Sequence, residues 1–470
     1  MIAFDNSFAR LLPQMFTAQA PIPVRAPQML AVNTGLAAQL GIDTDWLASD
    51  DALQVWSGNA VPAGAFPLAQ LYAGHQFGNW NPQLGDGRAV LLGEVIGTDG
   101  IRRDIQLKGS GRTPYSRGGD GRAWLGPVLR EYLVSEAMAA MGVPTTRALA
   151  AVATGEDVLR ETALPGAILT RVARSHIRVG TFQVHASRQD IPALQALTDH
   201  VIARHYPDAD GVPALLSAIV AAQAELIARW MGLGFIHGVM NTDNMAISGE
   251  TIDYGPCAFM DAYNPAQVFS SIDRGGRYSY ANQPGIALWN LAQLATALIP
   301  LMPDPDAAIE DFTTRINRFS DLYQAAWVQV FGAKIGLADP QMADAELIQQ
   351  LLTLMAQDGA DFTNTFANLA GPQAQDQFTN RDAFAAWVAD WQKRRAPDHL
   401  EIMARANPQI IPRNHQIEAV IAAATNDDVA PFHALLAAVT RPYDPPAGTR
   451  APFAKPPTAQ QIVTATFCGT

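Results

Sequence analysis

The stretch Ile236–Pro256 reads IHGVMNTDNMAISGETIDYGP and brings three oxygen-bearing side chains close together: Asp243, Asn244 and Asp253. Amide and carboxylate oxygens suit Mg²⁺, which usually takes one or two of them together with the phosphates of a nucleotide. An Asp-Asn pair also favours an ordinary turn, in which the side chains bond the local backbone. The stretch therefore predicts either a metal site or a simple turn, and the rest of the chain is needed to choose.

A β-hairpin is the local structure that this stretch predicts. Residues 244–253 are typical of two short strands joined by a type II′ turn at Gly249–Glu250. Residues two apart on a strand share a face, so Asn244 and Asp253 would point to the same side, roughly 7 Å apart along the strand. One Mg²⁺ would fit between them, whereas Asp243 would point elsewhere and be available for proton transfer.

Composition limits the classes of function. The chain has 470 residues, enough for two or three lobes, and its 49% apolar and 16% charged residues are normal for a folded protein. A net charge of −12 argues against a nucleic-acid surface, so phosphate binding requires a local basic pocket. The two cysteines, Cys257 and Cys468, are too few for a disulfide framework. We find no signal peptide or transmembrane helix by pattern and expect a cytoplasmic protein without membrane association.

Glycine-rich segments flank two predicted strands in the first third of the chain. Gly85–Arg88 leads into a strand at 89–95, and a returning strand at 101–108 ends at Lys108. The loop that follows, GSGRTPYSRGGDGR (109–122), contains five glycines and three arginines. Bare backbone N–H groups and local positive charge are what a phosphate needs. The alternatives are a flexible surface loop and a solvated lysine at a strand end.

A helix at Pro127–Met141 is predicted next, with a proline in its first turn. It carries Glu131 and Glu136. Helix glutamates usually face solvent, but either of these could reach Lys108 and hold its ammonium group toward a phosphate.

Residues 145–172 are predicted to form strands, and Arg171 and Arg178 flank the boundary at the end of this region. Two arginines seven residues apart could converge on one anion or could be ordinary surface residues. The chain then becomes mainly helical, and Pro213–Trp230 is the helix that leads into the opening stretch. The other predicted helices are Met29–Leu40, Gln189–Tyr206, Ile286–Leu298, Asp304–Val330, Asp344–Gln357 and Arg381–Arg394.

The order of these parts resembles that of protein kinases: a phosphate-covering loop, a strand lysine, a helix glutamate, a catalytic-loop Asn and an Asp-x-Gly metal ligand. Alignment of His237 and Asn244 with the kinase pattern H-R-D-x-x-x-x-N places Val239 where the catalytic Asp belongs. Valine cannot accept a proton, so the residues do not support a standard kinase mechanism.

The chain closely resembles the selenoprotein O family, kinase-like proteins that transfer AMP from ATP to protein hydroxyls. Matching segments cover nearly the whole length: YAGHQFGNWNPQLGDGRA, QLKGSGRTPYSRGGDGRA, HGVMNTDNM, DYGP, NPQIIPRNHQIEAVI and a cysteine third from the C-terminus. The resemblance implies an α+β, protein-kinase-like bilobal fold, with a strand-containing N-lobe (1–165) and a mostly helical C-lobe (166–470). Family members bind ATP flipped relative to kinases, which exposes the α-phosphate.

The same resemblance implies roles for individual residues. Asp243 would be the catalytic base, and Asn244 and Asp253 would bind Mg²⁺ or Mn²⁺. Glu131 would hold Lys108, with Glu136 as the alternative. The implied nucleotide site consists of Gly85, Gly87, Arg88, Lys108, Asp120, Gly121, Glu131, Arg171 and Arg178.

The expected activity is metal-dependent AMP transfer from ATP to Ser, Thr or Tyr hydroxyls of protein substrates, with release of pyrophosphate. Three alternatives remain open: a catalytically weak ATP-binding pseudokinase scaffold, a protein kinase that uses Asp243 in place of the missing Asp, and a UMP transferase. A redox role is also open, through a Cys257–Cys468 disulfide or a mixed disulfide from Cys468 to another protein or glutathione.

Overall fold

One antiparallel sheet forms the centre of the first lobe in the computed structural model, which describes residues 2–467. The strands are β1 (Phe16–Ala18), β2 (Gln28–Val32), β3 (Leu68–Gln70), β4 (Gly74–Gln76), β5 (Asn79–Asn81), β6 (Ala89–Ile96), β7 (Arg102–Lys108), β8 (Ala123–Trp124), β9 (Arg147–Leu159), β10 (Ala163–Ala173), β11 (Phe235–Ile236) and β12 (Ala258–Phe259). The main sheet has the order β1-β3-β6-β7-β10-β9-β2, with β8 paired to β10. Two small sheets pair β4 with β5 and β11 with β12.

The central strand β7 separates two kinds of surface. Ile105 and Leu107 are fully buried in an apolar core with three short helices on one side of the sheet. Gln106 and Lys108 alternate with them and carry polar groups toward the other side, as the sequence pattern predicts. The three short helices are α1 (Thr34–Gln39), α2 (Thr44–Leu47) and α3 (Asp50–Trp56).

Helix α4 (Leu125–Ala140) covers the other side of the sheet. Its buried Leu129 and Leu133 share one core with Leu169 of β10. Tyr132 of the same helix contacts Phe432 edge to face, with ring centroids 5.7 Å apart, and thereby joins the sheet lobe to the C-terminal helices.

The second lobe is helical. Its long helix α7 is buried along most of its length and ends at Gly234, whose φ of +66° gives a left-handed cap. The helices are α5 (Val179–Ser187), α6 (Ile191–His205), α7 (Gly211–Leu233), α8 (Gln283–Leu298), α9 (Pro305–Lys334), α10 (Ala345–Asp358), α11 (Phe362–Asn368), α12 (Arg381–Arg394), α13 (His399–Ala406), α14 (Asn414–Ala424) and α15 (Ala430–Val439). Together with the sheet lobe they give the α+β, protein-kinase-like bilobal fold expected from the sequence.

The predicted hairpin over residues 244–253 is wrong. Ala246 forms an isolated bridge to Arg178, and Thr251 forms one to Thr145, so the two halves pair with distant residues and not with each other. Residues on either side of the turn therefore take their positions from tertiary contacts.

Two further local predictions are corrected. The amide of Gly249 bonds the carbonyl of Ala246 at 3.2 Å, so the turn begins earlier than the predicted type II′ turn at Gly249–Glu250. The predicted helix Met29–Leu40 divides into β2 and α1, because the Asn33 side chain caps the start of α1 and the residues before it pair with β9.

The predicted lobe boundary between residues 165 and 166 falls inside β10. Leu169 and Thr170 pair with β7 as part of the main sheet. The whole strand belongs with that sheet, so we propose a lobe boundary after Ala173 in place of the predicted one.

Two helical segments, Gly211–Leu233 and Tyr280–Leu301, are long and apolar enough to cross a membrane by length and composition. Both contribute to the protein core, for example through the fully buried Leu216 and Leu291. Core helices pass the same test, so the two segments are weak indications of a membrane span.

Candidate active site

A cavity of about 690 Å³ lies between the sheet lobe and the segment 239–256. A cavity of this size accommodates a nucleotide-sized ligand. Its lining includes the basic residues Arg88, Lys108, Arg117, Arg122, Arg160, Arg171 and Arg178 and the acidic residues Asp86, Asp120, Asp243 and Asp253. Although the chain carries a net charge of −12, the cavity therefore has an excess of positive charge and suits a polyanion.

Every site residue predicted from the sequence lines this cavity, with one exception. Glu131 lies behind the lining, where it contacts two of the basic side chains. The other predicted residues that line the cavity are Gly85, Gly87, Arg88, Lys108, Asp120, Gly121, Arg171, Arg178, Asp243, Asn244 and Asp253.

Four charged side chains form a connected cluster at the floor of the cavity. Lys108 Nζ donates to Glu131 Oε2 at 2.6 Å and to Asp253 Oδ1 at 3.0 Å. Arg171 Nη2 donates to Glu131 Oε1 and to Asp253 Oδ1, both at 2.6 Å. Burial acts to raise the pKa of Glu131, but the charges of Arg171 and Lys108 outweigh it and lower that pKa. The two cations are therefore held in fixed positions by two carboxylates.

Asp253 is the point at which three cations meet. Besides Lys108 and Arg171, its Oδ2 lies 3.4 Å from Nη2 of Arg178. Burial acts to raise the pKa of Asp253, but Arg171, Lys108 and Arg178 together hold it well below its ordinary value. Its backbone has φ of +61°, which is uncommon for a residue other than glycine and is found at functional sites.

Asp243 lies in a 3₁₀ turn, Thr242–Asn244, and is 7% exposed. Its Oδ2 accepts a hydrogen bond from Nε2 of Gln76 at 3.1 Å, whereas its buried Oδ1 has no hydrogen-bond partner within residues 2–467. Burial raises the pKa of Asp243 to about 6. Asp243 thus places a carboxylate of raised pKa in the cavity lining, with one of its two oxygens enclosed by protein.

Asn244 and Val239 are joined by a side-chain bond. Asn244 Nδ2 donates to the carbonyl of Val239 at 2.9 Å, which leaves the amide oxygen as the group that can bind a cation. The Val239 side chain lines the cavity where the kinase pattern has its Asp.

The donor set of Asn244 and Asp253 fits a divalent cation only in company with a nucleotide. One amide and one carboxylate oxygen match what Mg²⁺ takes beside phosphates. Within the described range 2–467, no three His, Cys, Asp or Glu side chains come close enough to hold a metal ion by themselves. Phosphate oxygens would have to complete the coordination.

Close packing against the loop 109–122 requires a glycine at position 85. It has φ of +140°, and a Cβ there would lie 2.5 Å from Cγ of Tyr115 and 2.9 Å from the carbonyl of Gln70. Tyr115 and Gly87 also line the cavity. Glycine at this place lets the 109–122 loop close onto the segment before β6.

Glu136, the alternative partner of Lys108, has a different position. Its carboxylate accepts from Arg147 Nε at 2.9 Å, from the amide of Ala148 at 2.9 Å and from Asn33 Nδ2 at 2.7 Å. It ties α4 to β9 and α1 and does not reach Lys108.

Two residues that were not predicted from the sequence have polar roles at the site, the buried Asp86 and the partly buried Gln76. Asp86 Oδ2 accepts from the amide of Gln70 at 3.1 Å and from Gln106 Nε2 at 3.2 Å, and Oδ1 lies 3.9 Å from Arg178. Gln76 is the second, through its bond to Asp243. An Asp enclosed by glycines in a predicted phosphate loop was a usable signal for Asp86, whereas no local pattern indicates Gln76.

The C-terminal tail is fixed to the segment that follows Asp253. Thr466 Oγ1 donates to the carbonyl of Pro256 at 2.6 Å, and its amide bonds the carbonyl of Phe269 at 2.7 Å. Cys257 is buried next to Pro256. Cys468 lies outside the described residues, so the Cys257–Cys468 disulfide stays a prediction.

The sheet lobe, the helical lobe and the cation-lined cleft between them define a kinase-like class of nucleotide-binding fold. A family model described as protein adenylyltransferase SelO matches residues 1–440. The chain is 62% identical to the protein nucleotidyltransferase YdiU of Ruegeria pomeroyi, covering 100% of this chain and 99% of the relative. It is 61% identical to the protein of that name in Roseobacter denitrificans and 55% identical to that in Bradyrhizobium diazoefficiens, each with 99% of both chains covered.

The chain therefore belongs to the SelO family of protein adenylyltransferases. It is an enzyme of the nucleotidyltransferase class.

Proposed function

We propose that this protein transfers AMP from ATP to Ser, Thr or Tyr hydroxyls of protein substrates and releases pyrophosphate. The observation that carries the proposal is the position of Asp243. Asp243 lines the same cavity as the fixed cations Lys108, Arg171 and Arg178. Such a cavity holds both a proton acceptor for a hydroxyl and positive charge for a phosphate leaving group.

The proposed reaction is a displacement at the α-phosphorus. The hydroxyl oxygen forms a bond to phosphorus as the bond to pyrophosphate breaks, and pyrophosphate leaves with the electron pair. The hydroxyl proton passes to the carboxylate of Asp243, a general-base contribution of about 10²–10⁴-fold.

Negative charge that develops on the leaving group is met by cations already in place. Lys108 and Arg171 are fixed by Glu131 and Asp253, and Arg178 stacks on the ring of Tyr72 at 4.5 Å. Preorganised charge stabilises a transition state without reorganisation during the reaction.

A divalent cation is the remaining component of the proposal. Asn244 and Asp253 would hold Mg²⁺ or Mn²⁺ beside the phosphates, where it would offset their charge. Asp253 also accepts hydrogen bonds from Lys108 and Arg171, so the proposed metal site lies next to the cations proposed to meet the phosphates.

Mass spectrometry of the protein and of candidate substrates after incubation with ATP or UTP tests this proposal. We expect AMP adducts on hydroxyl side chains with ATP, and fewer adducts with UTP. UMP adducts in excess would assign a UMP transferase, and ATP binding without any adduct would assign a scaffold.

A further inference from the structure

The hairpin of β4 and β5 lies directly against the turn that carries Asp243. His75 N donates to Oγ1 of Thr242 at 2.7 Å, and Phe77 N donates to Oδ1 of Asn241 at 3.0 Å. These two bonds join the hairpin backbone to both residues that precede Asp243. Gln76 lies between these two donors, so its backbone is held in a fixed position relative to the carboxylate of Asp243.

Close packing makes this contact specific. A Cβ on Gly74 would lie 3.0 Å from Asp243 Oδ1 and 3.2 Å from its Cβ, so the strand packs closely against the carboxylate and encloses Oδ1. The hairpin turns at Phe77 and Gly78, which both have positive φ (51° and 82°), as a two-residue type I′ turn requires. The tight turn brings Asn81 Nδ2 to 3.5 Å from Gln76 Oε1.

The two oxygens of Asp243 consequently differ. Oδ2 accepts the Nε2–H of Gln76 at 3.1 Å, and Oδ1 has no partner in the described part of the chain. Rotation of the carboxylate would break the Gln76 bond and disturb the packing of Oδ1 beside Gly74, so the bond and the packing together fix one orientation of the carboxylate. The other charged and titratable groups that face Asp243 are Arg178, Asp253 and Tyr72.

We infer that Gln76 is a positioning residue, which holds the carboxylate of Asp243 in the orientation in which it receives the substrate proton. The inference rests on the proposed function, because it assigns how the proposed base is oriented. In the described part of the chain, the side-chain hydrogen bonds of Gln76 join it to Asp243 and Asn81, and none joins it to the cations of the site or to the proposed metal ligands.

Transfer assays on Gln76 variants test the inference. Gln76→Met keeps the shape of the side chain and removes the N–H donor. We expect kcat to fall about 10–100-fold while KM for ATP changes by less than about twofold. Gln76→Lys restores a donor at the end of an unbranched chain and should recover about tenfold of that loss.

A double-mutant cycle separates positioning from general damage. In an Asp243→Asn background, Gln76→Met should cause no further loss, since the residue through which Gln76 acts is already gone. Asn79→Ala, at an exposed position directly opposite Gln76 on the same hairpin, is the matched control and should keep kcat within about twofold. Melting temperatures of all variants establish that each one folds.

With an active wild type, three outcomes would overturn the inference alone. Gln76→Met could retain full kcat, or it could change only KM for ATP. In the third outcome, the fold losses of kcat from Gln76→Met and Asp243→Asn would multiply in the double mutant. A wild-type protein without any transfer would overturn the proposed function, and the inference with it.

Discussion

Burial of the Asp243 carboxylate costs the folded protein stability at neutral pH. Its pKa is raised from the ordinary 3.8 to about 6, so ionisation is harder in the folded chain than in the unfolded one. Well below pH 3.8 the group is protonated in both states. As the pH rises from about 4 to 6 the unfolded state ionises first, and stability is lost across that window.

Asp243→Asn should therefore increase stability and abolish most activity. We expect the free energy of unfolding to rise by about 1–3 kcal/mol above pH 6 and to stay unchanged well below the ordinary pKa of 3.8. Transfer should fall by roughly 10²–10⁴-fold, with ATP binding retained. Urea unfolding at several pH values and a transfer assay measure the two effects. A variant that turns over normally would make Asp243 an ordinary turn residue.

Metal binding at Asn244 and Asp253 should depend on nucleotide. Two oxygen ligands, one of them paired with three cations, make a weak site in the free protein. Titration calorimetry with Mn²⁺ should show binding in the presence of a non-hydrolysable ATP analogue and little without it. Asp253→Ala should remove the metal-dependent part of nucleotide binding. Equal Mn²⁺ binding with and without the analogue would contradict the site.

At the scale of an element, helix α4 offers a matched pair of glutamates. Glu131→Gln removes the carboxylate that fixes Lys108 and Arg171, so we expect transfer to fall by roughly 10²-fold. Glu136→Gln weakens contacts to Arg147 and Asn33, so we expect about 1–3 kcal/mol of lost stability and nearly unchanged kcat. Kinetics and thermal unfolding of both variants check this. Equal loss of kcat in the two variants would contradict the assignment.

Elements defined by their own periodicity could be predicted from the sequence. The alternation of β7 placed Lys108 opposite Ile105 and Leu107, and α12 occupies the predicted range Arg381–Arg394. Residues 244–253 could not be predicted in this way, because their partners, such as Arg178 for Ala246, lie far away in the chain. The family motifs did predict that the site residues cluster. Such motifs reflect tertiary contacts, which the periodicity of a short segment does not reveal.

The role of the Gln76 side chain also could not be predicted from local sequence patterns. Its partner Asp243 is 167 residues later in the chain, and the hairpin that presents it is only a few residues long. No period or cap connects the two, so their contact appears only when the lobes are assembled.

At the scale of the whole molecule, the tail and the segment after Asp253 form one unit through Thr466. A bond between Cys257 and Cys468 would tie the end of the chain to that segment and could control substrate entry. Mass spectrometry of the oxidised, unreduced protein tests this. A peptide pair joining the two cysteines supports such control, and both thiols free under mild oxidant would remove a redox role.

The central claim is attack at the α-phosphorus in a kinase-like cleft without the kinase Asp. Parallel reactions with ATP labelled at the α-phosphate or at the γ-phosphate test it most directly. If the hydroxyl attacks the α-phosphorus, we expect protein-bound label from α-labelled ATP only, with pyrophosphate as the released product. Protein-bound label from γ-labelled ATP, with none from the α-position, would contradict the account and assign a kinase.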